Sequence, residues 1–144
     1  MSPSPKHELL VIDDNPGDVD LIRHTVRRMD LPVHVSIARD AEGATHMLRE
    51  RLELKVQLPD LVFADINLPG QKGLEMLAEW KADPGLRRTP VIVLSSTRSH
   101  LEVLESYQLG AAAFIRKPGN LRGYRDMLQR VSDFWFGAAT LPNR

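Results

Sequence analysis

Short apolar runs alternate with longer amphipathic stretches along this chain, and the alternation repeats five times between Glu8 and Phe136. Glu8 to Ile12 is an apolar run of strand length. Asn15 and Pro16 follow as an N-cap and a first-turn proline, with Asp18 where the helix dipole favours an acid. Val19, Ile22 and Val26 then recur at helical spacing, with Arg23, Arg27 and Arg28 towards solvent, until Leu31-Pro32 breaks the helix. Val33, Val35 and Ile37 alternate with His34 and Ser36, the period of a half-covered strand near a sheet edge. Asp40 caps a second helix that buries Ala44, Met47, Leu48 and Leu52, while Glu53 to Pro59 carries no legible pattern.

Leu61 to Ala64 is a third strand, closed by a carboxylate and a Pro69-Gly70 turn. The helix after Gly73 buries Leu74, Leu77 and Trp80 and stops at Asp83-Pro84-Gly85. Pro90 to Leu94 is continuously apolar, as a strand covered on both faces should be. Ser99 and Glu102 form a capping box for a fourth helix, which Gly110 terminates. Ala112 to Ile115 is a fifth strand. Asn120 caps a last helix, with Leu121, Tyr124, Leu128, Val131 and Trp135 as its apolar stripe. Strands and helices in strict alternation predict a parallel, doubly wound α/β sheet with helices on both faces. At this size the flavodoxin-like strand order 2-1-3-4-5 is expected.

With 144 residues the chain suits one domain with a proper core. We expect a disordered leader over residues 1–7, the domain over 8–136, and a tail over 137–144 that could serve as a dimer arm. Nineteen Lys and Arg balance nineteen Asp and Glu, so no net field favours nucleic acid or an anionic membrane. Cysteine is absent, which excludes disulfide frameworks and thiolate metal sites and fits a cytoplasmic setting. No apolar run approaches the roughly 18 residues of a membrane helix, so no membrane association is expected.

The strand order places the ends of strands one and three beside each other at the switch point, where such sheets bind ligands. Asp13, Asp14 and Asp65 then share one pocket, with Ser95 and Lys117 arriving from strands four and five. Clustered carboxylates repel unless protons or a cation intervene. A hard divalent ion with oxygen ligands, Mg²⁺ above all, answers that need. A carboxylate is also a nucleophile towards phosphorus, and Mg²⁺ with a lysine stabilises the transferring phosphoryl group. Pro118 permits a cis peptide that would aim Lys117 inward.

Asp13-Asp14, Asp65, Ser95 and Lys117-Pro118, each at the end of its strand, resemble the signature of response-regulator receiver domains over essentially the whole chain. That resemblance implies that Asp65 is the phosphoacceptor. It implies Mg²⁺ held directly by Asp14, Asp65 and the backbone carbonyl of Asn67, with Asp13 acting mainly through water. Ser95 corresponds to the switch hydroxyl, Lys117 to the cation that pairs with Asp65 and then with phosphate, and Phe114 to the rotating aromatic residue. Asn67 and Thr97 lie where the family tunes hydrolysis of the acyl phosphate. Asp14-Asn15-Pro16-Gly17-Asp18, Asn67-Leu68-Pro69-Gly70, Asp133-Phe134-Trp135-Phe136 and Thr140-Leu141-Pro142 are similar to stand-alone receivers paired with phytochrome-type histidine kinases.

The expected function is therefore that of a single-domain response regulator, a phosphoacceptor without other enzymatic activity. Its partner would be a sensor histidine kinase, and its output would run through protein–protein contacts. After Pro118 one helix and a tail remain and no basic stripe occurs, so no DNA-binding output is expected. Phe134, Trp135 and Phe136 cannot all face inward from one helix, which points to a homodimer formed through the last helix and its aromatic end. Two rival readings are a haloacid-dehalogenase-type phosphatase and a degenerate receiver acting as a scaffold. The first wants a second acid two residues after the nucleophile, where this chain has Asn67; the intact acids, hydroxyl and lysine oppose the second. A flavin-binding flavodoxin fits less well, because acids follow strand one where a phosphate loop would be needed.

Overall fold

A computed structural model describes residues 7–142. The elements follow in the order β1 (His7–Ile12), α1 (Pro16–Arg28), β2 (Val33–Ala38), α2 (Ala41–Leu54), β3 (Leu61–Ala64), α3 (Gly73–Ala82), β4 (Val91–Ser95), α4 (His100–Gln108), β5 (Ala113–Arg116) and α5 (Leu121–Asp133). A π-helical turn, Phe134–Ala138, continues α5. The five strands are parallel and lie in the order β2-β1-β3-β4-β5. This is the flavodoxin-like arrangement that the alternating pattern predicts.

Side chains of successive strand residues leave opposite faces of the sheet, so each central strand serves two cores. Leu10, Ile12, Val62, Ala64, Val91 and Val93 meet Ala44 and Leu48 of α2 and Met76, Leu77 and Trp80 of α3. Leu9, Val11, Leu61, Phe63, Ile92 and Leu94 meet Val19, Ile22 and Val26 of α1 and Tyr124, Leu128 and Val131 of α5. Each Val, Leu, Ile, Phe or Met among them contributes roughly 1.5–3 kcal/mol when fully buried. Trp80 also finds a partner for its indole N–H, donating to Thr45 Oγ1 at 2.8 Å. The caps form as the residue types predict. Asn15, Asp40 and Asn120 accept from the backbone N–H groups of Asp18, Gly43 and Gly123.

Several expectations need correction. β1 begins at His7, which pairs with Val33, so the ordered domain starts one residue earlier; residues 1–6 lie outside the described residues. β4 and β5 each sit one residue later than expected, which makes Ser95 the last residue of β4. Leu52 is 39% exposed, leaning on Gly85 of the α3–β4 loop instead of entering the core. The capping box of α4 is only half formed: Ser99 accepts from Glu102 N–H, but Ser99 N–H donates to Thr97 Oγ1. No peptide among the described residues is cis, so Lys117 points inward from a trans Lys117–Pro118 bond. The expected tail is partly folded, because residues 137–138 complete the π turn and Leu141 is buried. Residues 143–144 lie outside the described residues.

Candidate phosphoryl-transfer site

Asp13, Asp65 and Lys117 each stand one step beyond a strand, where the backbone is still held by its neighbour. Asp13 N–H donates to Ala38 O, Asp65 N–H to Ile12 O, and Lys117 N–H to Ser95 O, at 3.0, 3.0 and 2.9 Å. The sheet therefore delivers Asp13 and Asp65 side by side and brings Lys117 across the end of β4. Lys117 Nζ lies 2.8 Å from Asp65 Oδ2, 2.9 Å from Asp13 Oδ2 and 2.7 Å from Asp18 Oδ2. All three distances are those of charge-assisted hydrogen bonds. The ammonium has three protons and meets three carboxylates.

Burial works against both signs of charge here. It opposes the Lys117 ammonium, but the hydrogen bonds that Nζ donates to Asp18, Asp65 and Asp13 outweigh burial and hold the lysine protonated above its ordinary range. Burial pushes the Asp13 carboxyl up, with the Asp65 charge adding to it, while Asn15 N–H and Lys117 pull the other way. Tyr124, beneath the cluster, has its phenol pushed up to about 12 by burial and by the charge of Asp18. Its hydroxyl lies 3.4 Å from Asp18 Oδ1. The second oxygens of the two central acids are aimed by the backbone: Asp13 Oδ1 accepts from Asn15 N–H at 2.9 Å and Asp65 Oδ1 from Asn67 N–H at 3.2 Å.

The sequence predicts Asp13, Asp14 and Asp65 in one pocket with Ser95 and Lys117, and of these the structure joins Asp13, Asp65 and Lys117 directly. Asp14 is exposed, because Asp13 occupies the inward position as the β1 ladder ends. Among the described residues no three His, Cys, Asp or Glu side chains are gathered as a metal-holding set. The donor chemistry nonetheless suits a hard cation. All side-chain donors at this rim are oxygens, and Asp13, Asp18 and Asp65 outnumber the single ammonium between them. Ser95 is fully buried while Ser96 is exposed, so Ser95 is the inward hydroxyl. Its oxygen accepts from Thr97 N–H at 3.4 Å. Phe114 is half-buried against the core under α2 and α3, and its backbone N–H donates to the Tyr107 hydroxyl at 3.1 Å.

Asp18 is the site residue that sequence reasoning missed. Its place in the first turn of α1 already had a local explanation in the helix dipole, and nothing in the local pattern says which way that turn faces. The aromatic end of α5 also differs from expectation. Trp135 and Phe136 pack against the α1–α5 core, and Phe136 stacks on His7 with centroids 4.8 Å apart. Phe134 alone remains 55% exposed, with Trp135 edge-on to it.

Known proteins share this fold. Response regulator Rcp1 of Synechocystis sp. is 31% identical over 140 residues, covering 96% of this chain and 95% of the relative. The structure of the phosphorylated cyanobacterial phytochrome response regulator RcpA superposes with a TM-score of 0.85 at 34% identity, covering 94% of this chain and 98% of that one. The Mn(2+)-bound form of Rcp1 superposes with a TM-score of 0.81 at 30% identity, over 94% and 99% of the two chains. The family description of the response regulator receiver domain matches residues 9–129, which span β1 to α5 and every acid and base of the rim. The chain thus belongs to the response regulator receiver domain family, the signalling proteins of two-component systems.

Proposed function

We propose that this chain is a single-domain response regulator of a phosphorelay, in which Asp65 accepts a phosphoryl group from a phosphohistidine of a sensor histidine kinase. The observation that carries this reading is the buried Asp65 carboxylate with Lys117 Nζ at 2.8 Å, on the ligand-binding rim of the sheet. In the transfer, an Asp65 oxygen forms the new O–P bond as the N–P bond of phosphohistidine breaks, and that electron pair returns to the imidazole. Lys117, already charged and desolvated, meets the negative charge that the phosphoryl group brings.

Asp13, Asp14 and Asp65 with the Asn67 carbonyl would hold Mg²⁺, Asp13 mainly through water. Bound there, the ion neutralises charge on the phosphoryl oxygens. The surplus of acids over ammonium at the rim supports this, as does the Mn(2+)-bound relative. Ser95 and Phe114 form the switch. Phosphorylation draws the Ser95 hydroxyl from Thr97 N–H, and the seam between α4 and β5 rearranges to change affinity for a protein partner. The protein assists its own phosphorylation and the hydrolysis of its acyl phosphate, in the cytoplasm. Likeness to a phytochrome response regulator supports a phytochrome-type kinase as the donor. Exposed Phe134 supports a homodimer through the end of α5.

Intact mass after incubation with acetyl phosphate and Mg²⁺ tests the reading. We expect one phosphoryl adduct on the wild type, dependent on Mg²⁺ and absent from Asp65→Asn. A folded wild type that takes no phosphoryl group from acetyl phosphate or from a phosphorylated histidine kinase would instead be a binding scaffold.

A further inference from the structure

Lys117 has a partner that its role as a phosphate-facing cation does not require. Asp18 approaches Nζ at 2.7 Å, as close as Asp65 at 2.8 Å, and comes from a different element, the first turn of α1. Its carboxylate is anchored from two sides: Oδ2 holds the ammonium, and Oδ1 faces the hydroxyl of buried Tyr124 at 3.4 Å. Its backbone is fixed as well, since Asp18 N–H is the donor that caps α1 through Asn15. Asp18 is thus an anionic post that meets Lys117 from a different element than the acceptor, with its carboxylate engaged on both oxygens.

We infer that Asp18 is a positioning residue that competes with the phosphoryl group for Lys117 and so sets how tightly the site holds phosphate. This rests on the function proposed above. With Asp65 free, the three ammonium protons are shared among Asp13, Asp18 and Asp65. When a phosphoryl group occupies Asp65, Lys117 must reorient towards its oxygens, and each hydrogen bond kept by Asp18 is one withheld from phosphate. The acyl-phosphate state is weakened to that extent, and return to the resting arrangement is favoured. Tyr124 sharpens the competition by holding the Asp18 carboxylate in place.

The test is the affinity for beryllofluoride, a phosphoryl mimic, at saturating Mg²⁺, by isothermal titration. Asp18→Asn should bind it roughly tenfold more tightly than the wild type, the scale of one charge-assisted hydrogen bond in a sheltered site. Asp20→Asn, which removes an exposed charge from the same helix, should leave affinity near the wild-type value. Tyr124→Phe, nearly isosteric, should shift affinity in the same direction by less, and it decides the matter if Asp18→Asn does not fold. Equal or weaker binding by the folded Asp18 variant overturns the inference. So does equal tightening by Asp20→Asn, which would reduce the effect to bulk charge. Absence of Mg²⁺-dependent beryllofluoride binding by the wild type would instead defeat the function on which the inference rests.

Discussion

At the residue scale the proposed acceptor, Asp65, is placed as much by a glycine as by acids. Gly73 is buried at the start of α3, and its N–H donates to Ile66 O at 3.0 Å. A Cβ at this position would overlap the carbonyl oxygen of Asp65 itself, and backbone cannot step aside as a flexible side chain can. Gly73→Ala should therefore cost about 1–3 kcal/mol, read as a lower urea midpoint, and should reduce phosphorylation by shifting the acceptor. A midpoint equal to wild type would show that α3 is free to retreat. The same scale explains what was legible in the sequence. Asp13, Asp65 and Lys117 could be read directly, because a residue one step past a buried parallel strand has its position dictated by the ladder. Asp18 could not, because its direction depends on how α1 is rotated over the sheet, a property of packing against Val11, Tyr124 and Leu128. Asp14 shows the converse: adjacency to Asp13 in sequence puts it on the outward side of the same ladder.

At the element scale, two devices tie peripheral elements to the sheet. Arg51 of α2 grips Glu8 of β1 with both terminal guanidinium nitrogens, at 2.6 and 2.7 Å, and Ser36 of β2 donates to the same carboxylate. Burial alone would raise the Glu8 carboxyl, but Arg51 and Ser36 together bring it below its ordinary value of 4.5. A carboxyl lowered by folding contributes stability that is present above pH 4.5 and is lost as pH falls through the folded value. Arg51→Gln should thus cost about 1 kcal/mol at neutral pH, and the gap to wild type should narrow on acidification. Asp13, whose carboxyl is raised by burial, acts with the opposite sign in both proteins, so urea midpoints of the pair compared at each pH isolate the Glu8 contribution. A gap independent of pH would show that Arg51 acts through packing alone.

The second device is weaker and lies where the proposed switch would act. Helix α4 buries only Ser106 among its nine residues, and Leu101, Leu104 and Tyr107 are exposed. The Tyr107 hydroxyl nevertheless accepts the Phe114 N–H on the outer edge of β5, a donor that an edge strand leaves without a ladder partner. Tyr107→Phe should speed hydrogen exchange at the Phe114 amide and through α4 while changing global stability by less than about 1 kcal/mol. Unchanged exchange would assign the hold on α4 to its cap and to Leu109 instead. The capping signals at Ser99 and Gly110 located α4 but could not reveal this bond. A tyrosine at an exposed helical position carries no mark of the strand edge its hydroxyl will meet.

Over the whole molecule, the aromatic end of α5 is where the proposed dimer can be tested. Helical periodicity placed Trp135 inward and left Phe134 and Phe136 outward, which presumes that α5 keeps its winding. The π turn at Phe134–Ala138 changes that winding, so Phe136 swings onto His7 at the start of β1 and Trp135 also packs on the core. Leu141 is buried in turn. Most of the aromatic surface that suggested an interface is thereby spent within one chain. What remains is Phe134, 55% exposed and braced edge-on by Trp135, a rigid anchor of the kind that centres a small interface. If the dimer forms there, Phe134→Ala should move the protein towards monomer in sedimentation velocity over a concentration series, with the thermal midpoint nearly unchanged because the ring supports little of the core. The same series run with beryllofluoride and Mg²⁺ asks whether the switch reaches this end of α5. Wild-type protein that stays monomeric throughout both series would leave Phe134 a surface residue and place the output of the switch on α4 and β5.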